Sequence, residues 1–115
     1  HVRRKAPVIE LGNLDVARDF SDVRMVVAYY KRLMERRWNS GDVFNVCSGQ
    51  AYTLREVLEM VRKLSSHNFE VRVNPAFVRA NEVKKLAGSS QRLLDAVGAV
   101  PVIPLRETLR WMLES

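Results

Sequence analysis

Two histidines, one cysteine and thirteen carboxylates are the residues of this 115-residue chain that could do nucleophilic, acid–base or metal chemistry. Their spacing supports little of it. His1 is terminal, and His67 lies in a polar turn with no cysteine or second histidine at ligand spacing, so we expect a surface histidine and no metal site. Cys47 ends an apolar stretch, where a thiol is expected to act as a small buried hydrophobe. A lone cysteine rules out an internal disulfide and a cysteine-rich zinc site, and it suits a reducing compartment, so the cytoplasm is the expected location. Neither Gly-x-Gly-x-x-Gly nor Gly-Lys-Ser/Thr occurs, which removes the usual phosphate-cradling loops. What remains is charge. Lysines and arginines number 19 against 13 acids, a formal net charge of +6, and an anionic partner is expected. The cations are spread along every expected helix and interrupted by Glu35, Glu56, Glu59 and Asp95, a distribution that argues against a nucleic-acid surface. No window approaches the roughly 18 to 20 apolar residues of a membrane span, and His1-Val2-Arg3-Arg4-Lys5 lacks a signal-peptide core, so a soluble protein is expected.

The elements that must position these residues read as mixed α/β. A hydrophobic fraction of 47% in 115 residues predicts one modest core rather than two. Pro7 to Leu11 reads as a strand almost at the start of a chain that does not begin with Met, so we expect a part of a longer protein. Val23, Val26, Val27, Tyr30, Leu33 and Met34 recur at helical spacing and predict the buried stripe of a helix capped by Ser21 or Asp22 and stopped by Asn39-Ser40-Gly41-Asp42. Val43 to Cys47 reads as a short, largely buried strand. Thr53-Leu54-Arg55-Glu56 is a capping box that opens a second helix with Val57, Leu58, Val61 and Leu64 inside. Phe69 to Val73 alternates as a half-exposed strand closed by Asn74-Pro75, and Arg79 to Leu86 reads as loop or turn. Ser89 or Ser90 is placed to cap a helix through Leu93, Leu94 and Val97 that stops at Gly98, and Pro104 opens a last one.

One stretch is more specific than any of these patterns. Leu11-Gly12-Asn13 through Arg18-Asp19-Phe20 to Val23 resembles the carboxy-terminal half of the extended short-chain dehydrogenase/reductases that act on nucleotide sugars. Further blocks follow in the family's order: Phe44-Asn45-Val46-Cys47-Ser48-Gly49, Thr53-Leu54-Arg55-Glu56, Asn74-Pro75 through Arg79 to Val83, and Gly88-Ser89-Ser90-Gln91-Arg92 with Val97-Gly98. The Asn74 to Val83 block is similar to the GDP-mannose branch, and Phe20 after Arg18-Asp19 is closer to its 4-keto-6-deoxymannose reductases than to its 4,6-dehydratases, which tend to carry Trp there. Met25, Ala80, Ser89 and Val100-Pro101 depart from the family pattern, which puts the exact substrate in doubt but removes no phosphate contact.

The resemblance implies a Rossmann-type α/β fold, of which residues 1–115 would be the carboxy-terminal portion with the small substrate-binding lobe. It implies that Arg18 and Arg79 bind the nucleotide diphosphate, that Glu82 meets the nucleoside, and that Asn13 sits in the substrate pocket. The same residues have plainer roles open to them: Arg18 pairing with Asp19 or Asp22, an i, i+3 pair of Arg79 with Glu82, and Asn13 as a turn residue. The implied enzyme reduces a GDP-linked 4-keto sugar with NADP or NAD, or dehydrates GDP-mannose. Its catalytic Ser/Thr and Tyr-x-x-x-Lys lie upstream and are not in these 115 residues, so this chain alone is expected to be inactive. The implied parent is a homodimer, and this piece, with its apolar strand short of neighbours, is expected to self-associate. The alternative of another class is a stand-alone anion-binding or interaction module.

Overall fold

The computed structural model describes residues 1–115. Its first half-sheet forms because two short strands flank in sequence a helix that can cover one face of them. Strand β1 (Val8–Leu11) and strand β4 (Glu70–Val73) run parallel, Val8 opposite Glu70 and Leu11 opposite Val73. Helix α2 (Leu54–Ser65) lies between them in sequence; its capping box is formed, Thr53 accepting from the Glu56 amide at 3.1 Å and Glu56 from the Thr53 amide at 2.9 Å. Leu58 of α2 closes over Ile9, Leu14 and Phe69 to make a small apolar cluster. A second cluster joins helix α1 (Val23–Met34) to helix α3 (Gln91–Val97) through Met25, Tyr29, Leu93, Val97 and Val100.

Three two-residue strands form a minimal second sheet. Strand β2 (Ala17–Arg18) pairs antiparallel with β3 (Tyr52–Thr53) and parallel with β5 (Lys85–Leu86), and these two-residue strands carry no periodic signal in the sequence. Helix α4 (Leu105–Glu114) ends the chain and packs on α2. No helix is long and apolar enough to cross a membrane, and no three His, Cys, Asp or Glu side chains cluster as a metal would need.

Several expectations from sequence need correction. There are two small apolar clusters, of five and four buried residues, rather than one core. The molecule is accordingly thin, 16 Å in its shortest dimension, and its radius of gyration of 17.1 Å exceeds the roughly 13 Å of a compact domain this long. The segment Val43 to Cys47 has no regular secondary structure and belongs to no ladder. Edge packing of Phe44 on Trp38, with ring centroids 5.0 Å apart, helps hold it. Helix α1 carries apolar residues on two sides, and the face turned inward is that of Met25, Ala28, Tyr29 and Leu33; Val23, Val27, Tyr30 and Met34, on the opposite side, are all exposed. His67 is half-buried rather than a free surface residue, its Nε2 lying 2.8 Å from the Ala6 carbonyl. Cys47 is half-buried against Gly88.

Candidate functional site

Arg18 ends β2, and being held on both sides fixes where its side chain starts. The Ala17 amide donates to the Lys84 carbonyl, and Ala17 and Arg18 stand in register with Thr53 and Tyr52 on one side and Lys85 and Leu86 on the other. The guanidinium donates from one terminal nitrogen to the Ala17 carbonyl at 2.9 Å and to the Val83 carbonyl at 2.8 Å. None of the molecule's seven ion pairs includes Arg18, so its charge has no carboxylate partner. An open depression lies in front of it, bordered by Asp19, Leu86, Ala87 and Gly88.

The bond to Val83 fastens the 79–83 loop to Arg18. Arg79, on that loop, is exposed and has no ion pair, and it forms no i, i+3 bridge to Glu82 because the segment is not helical. Glu82 carries the one buried side-chain polar atom without a partner in the molecule: its Oε2 is shielded from solvent and meets no donor. A buried carboxylate oxygen in that condition is costly unless a donor arrives from elsewhere. The loop's entry is set by a close approach. A Cβ on Gly12 would lie 2.7 Å from the Phe77 carbonyl oxygen, so glycine lets the end of β1 press on the short 3₁₀ turn Pro75–Phe77 just before Arg79. Asn13, next along, uses its Oδ1 to accept from the Asp15 amide at 2.9 Å, the turn role left open by the sequence.

Electrostatically the neighbouring carboxylates are already engaged. Asp22 caps α1, accepting from the Arg24 amide at 2.7 Å, from the Arg24 guanidinium at 2.7 and 3.0 Å, and from the Thr108 hydroxyl at 2.6 Å. The Arg24 side chain, ahead of the Thr108 hydroxyl and against the opposing effect of burial, holds the Asp22 carboxyl well below the usual carboxylate range. The same contact holds Arg24 firmly protonated, and its guanidinium stacks 4.3 Å from the Trp111 ring centroid. Through these bonds the Asp22 carboxylate ties α4 to α1. Asp19, which the sequence offered only as a partner for Arg18, instead accepts the amides of Ser48 and Gly49. The arrangement thus offers a guanidinium without a carboxylate partner at the edge of an open depression, and on the loop tied to it a shielded carboxylate oxygen that lacks a donor.

Comparison with known proteins places these features in a context. The family model described as GDP-mannose 4,6 dehydratase matches residues 2–112. A GDP-6-deoxy-D-mannose reductase from Pseudomonas aeruginosa is 38% identical over 107 residues, which are 93% of this chain and 35% of that protein. A crystal structure from Burkholderia cenocepacia J2315, provisionally described as an epimerase, is 54% identical with a TM-score of 0.94 over 99% of this chain and 37% of its own. The structure of RMD from Pseudomonas aeruginosa complexed with NADPH is 36% identical, with a TM-score of 0.86 over 98% of this chain and 38% of its own. This chain therefore spans little more than a third of the proteins it resembles.

Proposed function

Since the chain belongs to the GDP-mannose 4,6-dehydratase family and has the fold of the corresponding part of the extended short-chain dehydrogenase/reductases, we propose that it is the nucleotide-sugar-binding part of an oxidoreductase acting on a GDP-linked 4-keto-6-deoxymannose. The observation that carries this reading is Arg18: an arginine without a carboxylate partner, held in a three-strand sheet, with the Arg79 and Glu82 loop fastened to it by a hydrogen bond. A planar guanidinium of this kind suits bidentate contact with a diphosphate, and Arg79 supplies a second. The orphaned Oε2 of Glu82 accepts a ribose hydroxyl in this scheme, which removes the cost of its burial. Asn13 retains its amide nitrogen for the substrate while its oxygen serves the turn. The contribution to catalysis is positional: binding the diphosphate and nucleoside orients the sugar toward reacting groups supplied elsewhere.

In this reading the nicotinamide cofactor, NADP or NAD, is bound mainly by residues outside these 115, and NADPH is what the RMD structure holds. The five glycines, at 12, 41, 49, 88 and 98, form no glycine-rich strand-to-helix turn, and the strands of these residues end in two sheets of two and three. These 115 residues bind sugar nucleotide without reducing it, and the intact enzyme works in the cytoplasm. Dehydration of GDP-mannose is the second reading, favoured by the description of the family model; reduction is favoured by the 38% identical reductase and by Phe20. Calorimetric titration with GDP, UDP and GDP-mannose tests the site. GDP-selective binding that weakens about tenfold or more in Arg18→Ala, and also falls in Arg79→Ala, is expected. Equal affinity for GDP in the wild type and both variants would overturn it.

A further inference from the structure

Asp19 follows Arg18, and its side chain engages a different part of the molecule. Oδ1 accepts from the Ser48 amide at 3.2 Å, the Ser48 hydroxyl at 2.7 Å and the Ser21 hydroxyl at 3.2 Å, and Oδ2 accepts from the Gly49 amide at 2.9 Å. The turn so clamped needs a clamp. It follows segment 43–47, which no ladder holds, and Gly49 takes a φ of +79°. It also leads directly into β3, the antiparallel neighbour of β2. On its other side, Gly88 packs so closely on Cys47 that an added Cβ would lie 3.2 Å from the sulfur, and Gly88 borders the depression in front of Arg18. One carboxylate thus links the strand that carries Arg18 to the turn leading into the strand beside it, and that turn directly follows Cys47, on which Gly88 of the depression packs.

We propose that Asp19 is a positioning residue for the anion site at Arg18. Its negative charge is taken up by two backbone amides and two hydroxyls instead of by the neighbouring guanidinium, which leaves Arg18 without a carboxylate partner at the edge of the depression. The inference rests on the reading of Arg18 as a diphosphate contact. It makes a prediction of sign. A carboxylate beside a phosphate site repels the ligand, so on charge alone Asp19→Asn strengthens GDP binding. If Asp19 positions the site, Asp19→Asn weakens it, because an amide NH₂ then faces either the Ser48 donors or the Gly49 donor and the charge that gathers them is gone.

The test is a double-mutant cycle in the 115-residue chain, reading GDP affinity by calorimetry and folding by circular dichroism. Asp19→Asn is expected to weaken GDP binding about tenfold in the wild-type background and to change it less than about twofold in Arg18→Ala, because a positioning residue acts through the group it positions. Should Asp19→Asn not fold, Ser48→Ala removes the shortest of the four bonds, with about a threefold loss expected in the wild type and none in Arg18→Ala. Unchanged or tighter GDP binding by Asp19→Asn, with Arg18→Ala still impaired, overturns this proposal and leaves the diphosphate reading intact. Equal losses in both backgrounds also overturn it, since they mark a general structural role. Arg18→Ala binding GDP like the wild type overturns the diphosphate reading and this inference with it.

Discussion

Replacement of Asp22 by asparagine tests how the end of the chain is held. The Asp22 side chain is fully buried, and its four hydrogen bonds come from the backbone and guanidinium of Arg24 and from Thr108, 86 residues away on α4. Asparagine keeps one cap acceptor but sets an NH₂ donor against Arg24 or Thr108 and removes the charge. The loss of charge-assisted bonds to a buried group is worth about 1.5–3 kcal/mol; because 43% of the Arg24 side chain remains in solvent, we take the lower part of that range, about 2 kcal/mol. The folded-state carboxyl is held low relative to an unfolded value of about 3.9, so its contribution is fully present above that value. It is lost as pH falls through the unfolded value toward the depressed folded one. Urea unfolding followed by circular dichroism at pH 7 and at pH 2.5 measures both effects. The variant is expected to be about 2 kcal/mol less stable at pH 7, with the gap narrowing at pH 2.5. Equal midpoints at pH 7, or a gap that does not change with pH, would refute the assignment of Asp22 as the charged link between α1 and α4.

Leu93 has no exposed surface, and Leu93→Ala is expected to cost about 2–4 kcal/mol in urea unfolding; a loss below 1 kcal/mol would mean that the α1–α3 cluster collapses around the cavity. Gly12→Ala forces a Cβ onto the Phe77 carbonyl, so we expect a loss of about 1–3 kcal/mol and weaker GDP binding together, and a variant of unchanged stability and affinity would show that the turn yields freely. Val23, Val27, Tyr30 and Met34 form an exposed apolar stripe on α1, so the chain is expected to self-associate at micromolar concentration, and Val27→Asp to shift it toward monomer. Light scattering that finds a monomer in the wild type would end that idea.

Local chemistry made much of this protein legible in advance. The capping box of α2, the Asp22 cap of α1, the Gly98 stop of α3 and the β1 and β4 strands depend on residues within a few positions of one another, and each was visible as a pattern. The family motifs were equally visible, and they marked Arg18, Arg79, Glu82 and Asn13 as candidates. Which face of α1 is buried was not legible, because apolar residues lie on two sides of that helix and packing against Leu93 and Val97 chooses between them. Nor was the fate of Val43 to Cys47, since an apolar segment becomes a strand only where a partner offers hydrogen bonds. The two-residue strands β2, β3 and β5 are too short to carry a period, and they exist because distant segments meet. Arg18 could equally have paired with Asp19 or Asp22. The fold decided otherwise by giving Asp19 to the Ser48–Gly49 turn and Asp22 to Arg24 and Thr108, contacts that span up to 86 residues and that no local pattern encodes.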